Sequence, residues 1–260
     1  MAQPDNREAI LDQFTRQAVP FSTAPGIRDE EALRLLVTAS GAGPADTVLD
    51  VACGPGLVAA AFARVARHVT GIDLTPAMID RARALVRERG LANVTLQVGD
   101  VRPLPYADRA FSLVVSRFAF HHFPDPGAVL REMARVCAPG GRVVVADAAV
   151  SPDPARAAAF NRMERLRDPS HVRAVSLAEL AALFEAAGLA QPVVTRCEVR
   201  AEVEALLSRS FPAAGDADRI RALFEASLGD DGLGVGARRL DGAIHFAYPV
   251  AILAAAARPR

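Results

Sequence analysis

VLDVACGPGL, residues 48–57, runs from an apolar stretch into a glycine turn and carries a single acid, Asp50. It reads as a buried strand, a turn and the start of a helix. Glycines at such a turn let a ligand approach the backbone, and the helix N-terminus beyond it favours negative charge or hydrogen-bond acceptors. Gly54 to Ala59 (GPGLVA) fits GxGxxA, the pattern of dinucleotide sites. Asp73 closes the next strand, where an acid can accept bonds from ribose hydroxyls. Asp50 separates two kinds of ligand. A carboxylate beside the turn repels a pyrophosphate and attracts a cofactor carrying an ammonium and a sulfonium.

Outward from this turn, strands and helices alternate. Strands are expected over 47–52, 68–73, 94–98, 111–116 and 142–148. Helices are expected over 29–39, 57–65 and 76–89, and again after Asp125-Pro126. Thr75-Pro76 reads as an N-cap followed by proline at the first helical position. Such alternation predicts a parallel sheet wrapped on both faces. Beyond Ser151 the rhythm changes. A helix over 153–167 is followed by a loop, DPSHVRAV, and Ser176 with Glu179 forms a capping box for another helix. Residues 192–199 alternate like an edge strand, 202–228 read as helix broken by Pro212 and Gly215, and a last strand over 243–253 contains Pro249, which also suggests an edge. Residues 1–28 are polar and mixed, with Phe14 and Phe21 as isolated apolar anchors. The expected organisation is one domain, 1–260, with an N-terminal helical arm or lid (1–44), a cofactor-binding half (45–150) and lid helices plus the remaining sheet on the substrate side (151–260).

Composition narrows the partners. The chain has 260 residues, 51% of them hydrophobic, with 30 basic residues against 30 acidic ones. Neither a nucleic acid nor an anionic membrane is favoured by that balance. Trp is absent, which argues against base-stacking platforms. No apolar run is long enough for a membrane span, and the polar beginning of the chain lacks a signal-peptide core. Cys53, Cys137 and Cys197 lie far apart, so neither a disulfide framework nor a zinc site is expected. A cytoplasmic protein, monomeric or homodimeric, is the expectation.

VLDVACGPG, GIDLTPAMIDRAR, GDVRPLPYAD, FSLVVSRFAFHHFPDP and LREMARVCAPGGRVVVAD follow one another in order over residues 45–150. Together they resemble the successive motifs of class I S-adenosylmethionine-dependent methyltransferases, in particular the UbiE-like, methyltransferase type 11 group. The resemblance implies a Rossmann-like α/β fold: a seven-stranded, mostly parallel sheet with an antiparallel edge strand, helices on both faces and helical lid insertions. It implies S-adenosylmethionine as cofactor and S-adenosylhomocysteine as product. Asp50 and the Ala52–Gly56 backbone, including Gly54, would face the methionine portion. Asp73 would take both ribose hydroxyls, with Leu74 on the adenine and Met78 counted beside it. Asp100 would accept the adenine amino group, the Val101 amide would meet a ring nitrogen, and the Arg117 carbonyl would meet the ammonium. The family usually has glycine where Ala52 stands; a methyl group is tolerable there if the chain keeps negative φ.

Methyl transfer from a sulfonium needs an in-line nucleophile more than it needs side-chain chemistry. A base matters where the nucleophile must lose a proton. His121, after the fourth strand, and His171, in RDPSHVR, are the candidate catalytic residues; an aromatic, His-rich turn that only packs is the plainer reading of the first. Asp168 and Ser170 are expected to fix the turn before the helix, and Asp125 to cap one. HHxxD is not a metal spacing, so no metal is expected. Quinone-methylating members carry an Arg-Asn pair where this chain has RFAFHHFPDP, which speaks against a membrane quinone. The reading is methyl transfer to a small-molecule O, N or C nucleophile. Nucleic-acid methylation, a non-catalytic cofactor-binding relative and an NAD-dependent oxidoreductase are the alternatives.

Overall fold

The computed structural model describes residues 6–258, apart from the side chains of Phe21 and Pro25. Helices α1 (Arg7–Thr23), α2 (Pro25–Arg28) and α3 (Glu30–Ser40) precede the sheet. Then come β1 (Thr47–Val51), α4 (Leu57–Phe62), β2 (His68–Asp73), α5 (Pro76–Glu88), β3 (Val94–Val98) and β4 (Phe111–Arg117). A 3-10 turn, Phe120–His122, leads to α6 (Pro126–Val136), β5 (Cys137–Val150), α7 (Pro154–Arg167), β6 (Val175–Ser176) and α8 (Leu177–Ala186). The chain continues through β7 (Val193–Glu202), α9 (Val203–Leu207), α10 (Asp216–Asp230), β8 (Arg238–Leu240) and β9 (Ala243–Ala256).

The main sheet runs β3-β2-β1-β4-β5-β9-β7, with short β6 beside β5 and short β8 beside β9. Strands β1 to β5 are parallel, and β9 is antiparallel to both its neighbours. Seven strands therefore form the expected path, and two short ones add to it. The antiparallel strand is not at the edge as expected: β9 lies between β5 and β7, and β7 is the edge. Pro249 is tolerated inside β9 because β5 pairing ends at Ala148↔Val250, so its missing N–H faces a gap in the ladder.

Burial follows the pleat. Along β1, Val48 joins one apolar cluster with Leu57 and Phe62, while Leu49 and Val51 join another with Met133 and Phe184. Strands β4 and β5 divide their valines in the same way, as strands covered on both faces should. A third cluster, with Phe160, Met163, Leu207 and Phe224, joins α7, α9 and α10 to the first half of β9. The strand order reverses between β1 and β4, so a crevice opens there at the carboxyl ends of the strands.

Within the helical arm expected over 1–44, helix α1 has no local signal of its own, since residues 1–28 read as polar and mixed. Its interior Pro20 and weak apolar stripe conceal it. It is held by tertiary bonds: Gln13 and Gln17 both donate to the Ser210 carbonyl, at 3.0 and 3.2 Å. Asn6 Nδ2, just before it, donates to the carbonyls of His122 and Ser170.

Candidate functional site

Two adjoining cavities lie at the crevice and share Phe14, Ile27, Phe118 and His122. The first is about 100 Å³, and Ala52, Gly54, Asp73, Leu74, Met78, Asp100, Val101 and Arg117 all line it. Eight of the ten residues expected to hold a cofactor thus meet on one wall. Asp50 and Gly56 stand behind it. Gly56, at φ 81, has a different reason to be glycine: a Cβ would come within 2.8 Å of the Ala82 Cβ, so the residue lets α5 pack against the turn. Gly54, at φ 51, has open space where a side chain would be. Ala52 corrects the expectation of negative φ. It sits at φ 55, a left-handed conformation costly for a residue with a Cβ.

Asp50 is 1% exposed, and its Oδ2 has no partner. Burial pushes its carboxyl up to about 8, against a pull from the Ala59 amide in α4. Arg117 sits on the other side of the charge balance. One nitrogen donates to the Ile27 carbonyl at 2.9 Å, the guanidinium lies 4.4 Å over the Phe118 ring, and Nη2 is buried with no partner. Burial lowers it to about 10. Asp73 ties the turn to β2, accepting from the Gly54 amide through Oδ2 and from the Thr75 amide through Oδ1, each at 2.8 Å. Burial raises its carboxyl pKa despite these bonds. Thr75 makes no side-chain cap for α5, contrary to the reading of Thr75-Pro76. Asp100 accepts from Arg7 of α1 at 2.7 Å and from the Arg102 amide at 3.0 Å.

The second cavity is about 280 Å³ and includes both candidate catalytic histidines, His121 and His171, whose ring centroids lie 5.4 Å apart. His121 Nδ1 is 2.6 Å from Asp147 Oδ1. Burial opposes a charge on His121, but Asp147 outweighs it and raises the imidazole pKa. His122 meets the Ser170 carbonyl at 3.0 Å and packs edge-on to Phe14; burial lowers it to about 4. His171 is bonded to Asn161 and lowered to about 3, by burial and then by His121. Asp168 takes both the amide and the hydroxyl of Ser170, at 2.9 and 2.6 Å, which is the turn expected of it. Asp125 caps α6 through the Ala128 amide. Arg173 pairs with Glu179 on the surface. Phe14 lines both cavities; the side chain of Phe21 lies outside the described residues. Among those residues no cluster of metal-ligating side chains occurs.

Sequence reasoning missed Asp147, and with it the buried Glu164–Arg167 pair and Tyr248, whose hydroxyl donates to Glu164 at 2.8 Å. The signal for Asp147 was present. RVVVADA places an acid at the end of a buried strand, as Asp50 and Asp73 are placed. Glu164 and Arg167 are one turn apart on α7, a spacing the sequence does show. Tyr248 carries no such signal, because only the packing of α7 on β9 brings it to them.

Comparison with known proteins agrees with this geometry. A family profile described as a methyltransferase domain matches residues 49–145. An uncharacterised methyltransferase, YcgJ of Bacillus subtilis, is 32% identical over 215 residues, 82% of this chain and 85% of that protein. Its crystal structure superposes with a TM-score of 0.82 at 28% identity, covering 89% of this chain and all of that one. The ubiquinone/menaquinone biosynthesis C-methyltransferase UbiE of Bdellovibrio bacteriovorus is 36% identical over 146 residues, 54% of this chain and 62% of that protein. Fold and crevice define a Rossmann-like methyltransferase. The chain belongs to the class I S-adenosylmethionine-dependent methyltransferase family, in its UbiE-like group. Among the described residues no helix is long and apolar enough to cross a membrane.

Proposed function

We propose that the first cavity binds S-adenosylmethionine and the second a small-molecule methyl acceptor. The observation that carries this reading is the pair of adjoining cavities, one walled by the glycine turn, the other by histidines. The residues present fit the cofactor. Asp50 Oδ2 and Arg117 Nη2, one on an acid and one on a base, are buried and unpartnered, as suits a ligand bearing both an ammonium and a carboxylate. On this reading Asp73 would accept from ribose hydroxyls, Asp100 and the Val101 amide would meet adenine, and Leu74 and Met78 would cover its faces; all five line the first cavity. Bound S-adenosylmethionine would supply an electrophilic methyl group on a sulfonium.

The chain's own part is to orient the acceptor and exclude water. Phe14, Ile27 and Phe118 line both cavities and give the acceptor an apolar border with the cofactor site. His121 and His171 both line the acceptor cavity, and a histidine there would handle an acceptor proton. The test is Asp73→Ala. It removes a ribose acceptor and the tie to Gly54, and is expected to weaken S-adenosylhomocysteine binding at least about tenfold, with circular dichroism unchanged. Binding equal to wild type would remove the ribose assignment.

A further inference from the structure

The two candidate histidines differ in a way that the hydrogen-bond network fixes. Asp147 already accepts from the amides of Phe120 and Ala148, each at 2.7 Å. A carboxylate only accepts, so the hydrogen in the His121–Asp147 bond belongs to Nδ1. Nε2 of the neutral ring then carries a lone pair. Among the described residues nothing meets that nitrogen, and His121 borders the second cavity. His171 is the reverse. Asn161 donates through Nδ2 to the carbonyls of Ala157 and Ala174, so its Oδ1 is the atom that meets His171 Nε2 at 2.8 Å. His171 Nε2 is thus the N–H, and its Nδ1 is a buried lone pair without a partner. A second proton on His171 would bury an unmatched N–H, and its free nitrogen is sealed from the cavity.

We infer that His121, positioned by Asp147, takes a proton from the acceptor, and that the acceptor is a hydroxyl compound with a largely apolar body. This rests on the methyl-transfer reading above. A neutral amine attacks with its lone pair and gives up its proton only after the new bond has formed. A thiol ionises close to neutrality unaided. A hydroxyl oxygen becomes a competent nucleophile as its proton leaves, and it can hydrogen-bond to an imidazole nitrogen beforehand. In the balanced step the acceptor O–H bond breaks and its proton passes to His121 Nε2. The oxygen forms the new bond to the methyl carbon. The electron pair of the broken S–CH₃ bond stays on sulfur, which becomes a neutral thioether. Phe14, Phe118, Phe160, Val199 and Leu206 provide the apolar surround.

The charged and titratable groups facing His121 are Asp147 from β5, Glu164 and Arg167 from α7, Asp168 from the following loop, and the rings of His122 and His171. Burial disfavours the imidazolium, but the carboxylates raise its pKa, so kcat should rise with pH as His121 loses its proton. Asp147→Asn should move that acid limb to lower pH and lower kcat. Because Asp147 also holds backbone amides, the wild-type protein provides a second measurement. Nitrogen-edited NMR of its imidazoles should show the neutral His121 proton on Nδ1.

The transfer assay uses naphthols and alicyclic alcohols beside matched amines, thiols and β-diketones, with S-adenosylmethionine as donor. O-methyl products are expected, and His121→Ala should lower kcat at least roughly 100-fold with KM within a few-fold. Products on nitrogen, sulfur or carbon only, an unchanged kcat in His121→Ala, or a His121 proton on Nε2 would overturn the inference. S-adenosylhomocysteine titrated in parallel separates the two readings. Intact binding with no O-methyl product overturns this inference alone, whereas no binding overturns the methyl-transfer reading beneath it.

Discussion

Asp50 is a carboxyl kept from water with one oxygen unmatched, and Ala52 is a left-handed residue with a side chain. Each costs stability in the free protein, and each is testable alone. Ala52→Gly removes the clash of a Cβ at φ 55 and should stabilise the fold by about 1 kcal/mol in urea melts, since left-handed strain exceeds the entropy that glycine adds. Asp50 has a folded pKa of about 8 against 3.8 as the ordinary value. Between those values the unfolded chain has lost this proton and the folded protein has kept it, so the contribution of Asp50 to stability falls as pH rises from about 4 to about 8. Asp50→Asn lacks that fall, so the stability of the variant relative to wild type should increase across the same window. The same proton links Asp50 to binding. A cationic ligand favours the carboxylate, so titration of S-adenosylmethionine near pH 7 should release a proton, read as dependence of the binding heat on buffer ionisation enthalpy. Asp50 was legible because an acid in an apolar strand is anomalous. The φ of Ala52 was not, because the sequence shows a residue type and only the folded turn shows the conformation imposed on it.

At the scale of elements, the turn and α5 depend on one another through Gly56. Gly56→Ala would place a Cβ 2.8 Å from Ala82 at φ 81 and should destabilise by about 1–3 kcal/mol. Gly54→Ala meets open space and should cost only the backbone strain, about 1 kcal/mol. Equal melting shifts in the two variants would contradict the packing role of Gly56. The βα rhythm was readable because the central strands are apolar and several helices start with a signal such as Asp125-Pro126 or the Ser176–Glu179 capping box. Helix α1 was hidden for the opposite reason: what stabilises it is distant in sequence, with Gln13 and Gln17 on Ser210 and Phe14 against His122. Local pattern cannot report such bonds. Position within a sheet is hidden in the same way, and Pro249 suggested an edge because a gap in pairing and a true edge look alike along one strand.

Across the whole molecule, the reversal of strand order between β1 and β4 gathers residues from several separate loops onto one cavity wall. The glycine turn, Asp73 and Asp100 follow three successive strands, which is why the cofactor side was legible as ordered motifs. The acceptor side is assembled from α1, the 3-10 turn, α7, β7, α9 and Tyr248 of β9, and no short motif spans it. The central claim is that the carboxylate behind the turn selects a cationic cofactor over a pyrophosphate. Parallel calorimetric titration with S-adenosylmethionine, S-adenosylhomocysteine and NAD tests it most directly. Binding of the first two in the micromolar range with no heat from NAD is the expected result. Binding of NAD alone would contradict it and make the turn at Gly54 a pyrophosphate site.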